Sequence, residues 1–326
     1  MGRHGLAWQG EVGRRRGMTV TELLAVIAIV GLLASLTLVA VQQARESSRR
    51  LGCSANLRQI GLAVANYESQ YRCFPHGAVQ GYGYSVAILG FLEQASLMEK
   101  RDLAVSPYDE WELSGTELPI WRCPSESSPR SFQFGSLSQR RASTNYFGNF
   151  GTWWPLYGMD GVFRYDSGTH GGSPHADPVR ASDISGGLSN TSLVAEARSS
   201  DGSGGRLTVS WELPRSFSAS EIDVFAEYCN TLPARPAQAG WRGDMRGRGL
   251  PWTLGNMAVT FYDHVATPNL PSCLNRTSLS DAISTASSNH LRGVNVVACD
   301  GHVAFVANSV DLRVWRASGS RGADSN

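Results

Sequence analysis

Polar and apolar positions fall into three regimes along this chain. From Leu23 to Val41 it reads LLAVIAIVGLLASLTLVAV, 19 residues without a charge. A bilayer core takes about 20 apolar residues in a helix. A buried core helix is the alternative, but such a helix keeps a polar face and this run has none. The pattern predicts one membrane span at 23–41, and no second stretch of its kind follows. Beyond it, Cys53, Leu57, Ile60, Val64, Tyr67 and Tyr71 recur at offsets 0, 4, 7, 11, 14 and 18. That is one apolar stripe on a helix, with Arg50, Ser54, Arg58 and Glu68 opposite. Phe74-Pro75 ends it, because proline disfavours helix at the residue before it. A long helical segment over 18–75 is expected, half in lipid and half against a globular head. From Met18 to Tyr71 it would run roughly 80 Å at the helical rise.

Residues 76–315 show short apolar segments divided by Gly, Ser, Pro, Asn and Asp, the pattern of strands and loops. One helix is expected over 85–101. Strands are expected at 161–165, 191–197, 207–211, 257–262, 294–299 and 302–306. The last two flank Asp300-Gly301, a hairpin signal. The fold class is therefore α+β, with an antiparallel sheet packed on the outer half of the long helix. The tail, 316–326, is polar and is expected to be disordered.

Composition narrows the class. The chain has 326 residues, 42% hydrophobic and 17% charged, below the roughly 25% charge of typical soluble domains. Net charge is +1, so no basic surface advertises nucleic acid as a partner. A coiled-coil rod, a charged disordered tail and a collagen-like chain are excluded.

The leader, 1–17, ends Arg14-Arg15-Arg16-Gly17. A secretory signal peptide would have a shorter apolar stretch and a small-residue cleavage site after it. A twin-arginine signal normally has a weaker apolar stretch. Arginines flank the span on both sides, so charge alone does not orient it. Glu22 stands at the edge of the apolar run, where a carboxylate costs a few kcal/mol unless paired. Either it snorkels to the interface or it meets a cation. Cleavage after Gly17 would make Met18 the first residue and supply an α-amine beside it.

The string RRRGMTVTELLAVIAIVGLLASL resembles the type IV prepilin cleavage and methylation signal. The resemblance implies cleavage between Gly17 and Met18 by a membrane-embedded prepilin peptidase and N-methylation of Met18. It further implies assembly into a fibre with other pilin or pseudopilin subunits, guided by Glu22. Phe is usual where Met18 stands. The implied shape is the pilin lollipop. The implied location is the inner membrane, leader in the cytoplasm and head outside, with a periplasmic or surface fibre as the assembled form. Gly31 and Ser35 form a small-xxx-small pair suited to close packing of spans.

Further along, CSANLRQIGLAVANYESQYRCFPHG, WRCPSE, TNYFGNFGT, SDISGGLSNTSLVAE, YDHVATPNLPSC and SSNHLRGVNVVACDGHVAFV follow one another. Their order resembles a large bacterial family of pilin-like proteins of unknown function. Its hallmarks are the prepilin signal and a C-terminal H-x9-D-G box, here His290, Asp300 and Gly301. The box is either a metal or catalytic pair or a tight turn with one histidine hydrogen bond. One His and one Asp are too few ligands for zinc.

Other candidates are weaker. His170, His175 and Asp177 lie in a Gly-rich segment as conceivable metal ligands. Asp160, Asp201 and Asp300 each precede Gly, but none fits an EF-hand loop. Calcium in the head is known among pseudopilins, and no other cofactor is expected. Ser189-Asn190-Thr191 before Glu196 reads as a cap or Asx turn leading into a strand. Trp153, Trp154 and Tyr157 form either a binding platform or core. No nucleophile elbow, H-E-x-x-H or phosphate loop occurs, so no enzyme activity is expected. Cys53, Cys73, Cys123, Cys229, Cys273 and Cys299 could form up to three disulfides, with 15 connectivities. Cys53 and Cys73 lie about 30 Å apart on one continuous helix and cannot pair with each other. The leading expectation is a structural assembly subunit. The alternative is a membrane-anchored extracytoplasmic protein that binds a ligand or a surface and does not polymerise.

Overall fold

One helix of 52 residues, α1 (Val20–Tyr71), opens the computed structural model. The structure describes residues 18–102, 105–107, 109–133, 140–152, 159–165, 177–200, 204–233, 236, 243–244 and 247–322. The chain divides into two units at Ser47/Ser48. The outer part of α1 therefore belongs to the head unit, which begins earlier than the expected 76. Arg72 adopts a left-handed φ of 61° just after the helix, and Phe74 N–H donates to Val179 O, tying the chain down where Pro75 forbids further helix.

Within the head unit, nine strands form two main sheets. They are β1 (Tyr146–Asn149), β2 (Ser192–Glu196), β3 (Ser210–Glu212), β4 (Gly243–Asp244), β5 (Phe261–Tyr262), β6 (Ser272–Asn275), β7 (Ser278–Ile283), β8 (Gly293–Ala298) and β9 (Val303–Ala307). The five-stranded sheet has the order β9-β8-β2-β1-β5, antiparallel except for the β1–β5 pair. The four-stranded sheet has the order β7-β6-β3-β4, with β6 and β3 parallel. The architecture is mixed α+β.

Alternation along the strands sorts side chains to two faces. Tyr146, Phe261, Val297 and Cys299 join a core with Cys53, Leu57, Ile60 and Val64 of α1. The predicted stripe is thus the buried one, up to Val64; Tyr67 is half-buried and Tyr71 exposed. Gly61 sits where the helix meets the sheet: a Cβ there would come within 2.8 Å of Val297. Phe147, Tyr262, Val294 and Val296 face the other way and pack with Trp315. Trp315 lies on α3 (Leu312–Gly319), whose N-cap Asp311 accepts from Arg313 and Val314 N–H. A separate core joins the second sheet to α2 (Ile222–Asn230) through Trp211, Phe225, Cys229, Cys273 and Ile283.

Several local expectations are corrected. The tail folds rather than staying disordered: Trp315 Nε1 donates to Ala266 O, Asn149 Nδ2 to Gly319 O, and Arg321 N–H to Asp160 O. Burying Trp315 against the sheet fixes the polar residues after it; residues 323–326 lie outside the described ones. The single helix at 85–101 is broken into turns at Tyr84–Ala87, Leu89–Leu92 and Ala95–Met98, the first break at Ile88, whose ψ of 3° leaves the helical region, and the second at Glu93, which takes a left-handed φ of 60°. Of the strand at 257–262, Met257–Thr260 is instead a helical turn capped by Asn256, whose side chain accepts from Ala258 N–H. Only Tyr165 of 161–165 makes a bridge, to Ala78. The strand expected at 207–211 begins at Ser210. The 191–197 and 294–299 strands stand nearly as read, and β8 pairs with β9 from Gly293↔Ala307 to Val297↔Val303.

Two adjacent buried groups give this core a testable pH signature. Among the described residues neither ring nitrogen of His264 has a hydrogen-bond partner, and its ring lies 4.0 Å from that of Trp315. Burial lowers its pKa from 6.5 to about 3. Its contribution to stability is present above pH 6.5 and is lost as pH falls toward 3. Burial raises Asp263 from 3.8 to about 7, against the pull of Ser284 and Val265 N–H and of Arg248. That contribution is present below about pH 4 and is lost as pH rises through 7. Relative to wild type, His264→Phe should lose stability as pH rises from 4.5 to 6.5, and Asp263→Asn should gain it. Each slope should be on the order of 1 kcal/mol per pH unit. Urea titrations across that range check the signs; parallel curves for all three proteins would contradict them.

Candidate functional site

The residues singled out in the sequence fall into two places. The first is the start of α1. Gly17 lies outside the described residues, and Met18 is exposed. Thr19 and Glu22 form a capping box. Thr19 N–H donates to Glu22 Oε2 at 2.8 Å, the Thr19 hydroxyl reaches the same oxygen at 3.0 Å, and Glu22 N–H donates back to Thr19 Oγ1 at 3.3 Å. The signal for it, T-x-x-E before an apolar run, is in the sequence at 19–22 and went unused there. Glu22 thus has a job within its own chain, satisfying N–H groups that a helix start leaves unpaired.

Beyond it, Ile27, Leu32, Leu36 and Leu38 are all more than half exposed. Helix α1 is long and apolar enough here to cross a membrane, and none of that stretch is buried. An apolar surface of this extent marks contact with lipid or with other protein. Gly31 meets nothing within 4 Å of an added Cβ, and Ser35 donates to Leu32 O within the helix. Both leave the helix surface low at that point.

The second place is in the head, where Cys53 of α1 is disulfide-bonded to Cys123. Beside that bond lies His290. Its Nε2 is 3.6 Å from Cys123 Sγ and 3.2 Å from Glu196 Oε1. Glu196 ends β2 and is fully buried; Asn295 of β8 donates to it from its N–H at 2.7 Å and from Nδ2 at 2.9 Å. Around this group runs a polar network. Asn145 takes Cys123 N–H on its carbonyl and donates to Glu126 and Ala197 O. Asn289 donates to Ser125 O and Glu126. Asn56 donates to Arg122 O and Tyr146 Oη. The motifs CSANL, WRCPSE, TNY, SLVAE and SSNH, scattered over more than 230 residues, thus meet at one point.

The H-x9-D-G box is not a single site. His290 turns inward to Glu196, while Asp300 is at the far end of β8. Six residues of strand, about 20 Å, separate the two ends. Asp300 Oδ1 accepts from His302 N–H at 3.1 Å and lies 2.7 Å from His302 Nδ1. Gly301 follows with φ +88°, the left-handed conformation that closes a three-residue hairpin loop. Sequence reasoning missed Glu196 as the partner of His290. The two are 94 positions apart, and no local spacing links them.

A second disulfide joins Cys229 of α2 to Cys273 of β6. Cys73 and Cys299 are unpaired. Burial raises the pKa of both thiols, so neither is primed as a nucleophile. Asp160 accepts from the N–H and the hydroxyl of Thr152. Asp201, His170, His175, Trp153, Trp154 and Tyr157 lie outside the described residues, and Asp177 is exposed.

A mixed α+β head unit holding two disulfides, in a chain whose N-terminal helix is long and apolar enough to cross a membrane, defines the class. Residues 42–313 match a family described as protein of unknown function, DUF1559, and the chain belongs to it. The match covers the head and the outer part of α1 and begins just after the apolar run. Neither the curated proteins nor the solved structures hold a match to the chain.

The two ends of the box should respond differently to mutation. His290→Ala removes a buried hydrogen bond to Glu196 and leaves a cavity beside the disulfide, which should cost about 2–4 kcal/mol. Asp300→Ala removes acceptors from an exposed turn and should cost under about 1 kcal/mol. Urea unfolding of both variants in detergent checks the contrast, which equal losses would rule out.

Proposed function

We propose that this chain is a pilin-like or pseudopilin-like structural subunit. On this reading prepilin peptidase cuts it after Gly17 and Met18 is N-methylated. The span at 23–41 holds it in the inner membrane with the head outside the cytoplasm. It then assembles through α1 into a type IV pilus or a type II secretion-like fibre. The observation that carries the reading is the run from Arg14 to Val41: a basic stretch, Gly17, Glu22 four residues after Met18, and an exposed apolar helix. Two disulfides in the head agree with an oxidising compartment. The lollipop shape, a head carried on the outer half of one long helix, belongs to the same proposal.

In such a fibre the apolar surface of α1 is covered first by lipid and then by neighbouring helices. A released Met18 α-amine is a cation that the Glu22 carboxylate of a neighbour can neutralise in a medium that penalises a lone charge. The capping box favours a second reading, in which Glu22 only starts the helix of a membrane anchor that never polymerises. Glutamine separates the two, since it serves a capping box as well as glutamate does.

The intact mass and N-terminal peptide of protein extracted from membranes test processing. A chain beginning at N-methylated Met18 is expected, and Gly17→Ala should retain the leader; normal processing of that variant would sink the assignment. For assembly, Glu22→Gln should be processed and inserted as wild type but lose cross-linked multimers by at least about tenfold, the equivalent of ~1.4 kcal/mol per contact. Undiminished multimers in Glu22→Gln would leave Glu22 as a cap alone.

A further inference from the structure

Four donor atoms converge in the head: Sγ of Cys53, Sγ of Cys123, a carboxylate oxygen of Glu196 and Nε2 of His290. All lie within 4.8 Å of one another and all four residues are buried. They come from α1, the loop before β1, the end of β2 and the loop before β8, so folding alone assembles them. Two thiolates, an imidazole and a carboxylate are a zinc-type donor set. Two of the edges suit it as they stand, while the two sulfurs, bonded to each other in the disulfide, must separate to about 3.8 Å once reduced. A tetrahedral zinc with the usual bond lengths has an S–N edge of about 3.6 Å and an N–O edge of about 3.4 Å. Cys123 Sγ to His290 Nε2 is 3.6 Å, and His290 Nε2 to Glu196 Oε1 is 3.2 Å. Asn295 orients the carboxylate with two hydrogen bonds, the outer support that metal ligands usually have. A cavity of about 10 Å³ lined by Cys123, Glu126, Asn145 and Glu196 borders the cluster.

We propose that the dithiol form of the head binds one divalent cation of the zinc class through Cys53, Cys123, Glu196 and His290. The disulfide and metal forms exclude each other, because the same two sulfurs make either bond. Passage from one to the other is balanced. A dithiol gives two electrons and its two protons to the S–S bond and becomes a disulfide, or a phosphine gives two electrons and becomes a phosphine oxide, with water supplying its oxygen and the two protons. Two thiols result. The metal then displaces their two protons to solvent, and the proton that His290 Nε2 shares with Glu196 Oε1 also leaves Nε2 through solvent, so that the bound imidazole is neutral with its one proton on Nδ1. Both forms pin the same point of α1 to the head, the metal under reducing conditions and the disulfide under oxidising ones.

The test uses full-length protein in detergent, reduced with a phosphine, freed of reductant under anaerobic conditions and titrated with Co²⁺. One cobalt per chain is expected, with a thiolate charge-transfer band and the strong visible absorption of tetrahedral coordination, both erased by Zn²⁺. The oxidised chain should take up none. Cys123→Ser and His290→Ala should lose at least about tenfold in affinity, and Asn295→Ala should weaken it through Glu196. Paired Cys229→Ser and Cys273→Ser should change nothing. Absence of the thiolate band in reduced wild type overturns the proposal without reference to any variant. So does equal uptake by the oxidised chain, or loss of the band on Cys229→Ser and Cys273→Ser.

Discussion

Attachment of the outer half of α1 to the five-stranded sheet is the constraint on which the head depends. The stripe from Cys53 to Val64 buries one face of the helix against Val297 and its neighbours. Gly61 lets the backbone approach closely enough for that contact, since any side chain there would strike Val297. Dispersion and apolar burial hold the two surfaces together, but they do not fix where along its axis a helix sits. The Cys53–Cys123 bond does, and Asn56, one turn further on, adds hydrogen bonds to Arg122 O and Tyr146 Oη.

Much of this was legible in the sequence, and the reasons differ by element. The stripe of α1 and the uncharged run before it are local periodicities that no tertiary contact has to complete. The β8–β9 hairpin was legible because Gly301 supplies the left-handed residue its turn needs. Legibility failed where a contact distant in sequence decides the conformation. Trp315 packs on His264 and makes a folded helix of a polar tail. The apolar pattern at 257–262 reads as strand, yet Asn256 caps a helical turn within it. The fragments over 85–101 have helical periodicity, and two residues divide them: Ile88, at φ −95° and ψ 3°, and the left-handed Glu93.

The candidate site shows the same division. Its six cysteines were visible, but their pairing was not, because Cα proximity across 70 and 44 positions is a tertiary fact. Glu196 was read only as part of a strand. In the fold it is the group that makes His290 intelligible, a buried carboxylate taking hydrogen bonds from both ends of Asn295. Conversely, the T-x-x-E at 19–22 was in plain view and gives Glu22 a structural role that the prepilin resemblance alone does not.

The spacing of the box follows from these positions. His290 must enter the core beside Cys123, while Asp300 and Gly301 must turn the chain back into β9. Between them runs the one strand that pairs with β2 on one side and β9 on the other. A strand that spans the sheet needs a set number of residues, so the nine-residue interval measures the sheet and not a ligand. Glu196 closes the argument. It ends the neighbouring strand β2 and receives Asn295 N–H from β8, so β8 is locked in register at the point where His290 enters. A one-residue slip of β8 would turn Val297 away from α1 and move His290 off the disulfide. The buried pair and the helix attachment are therefore two readouts of the same register.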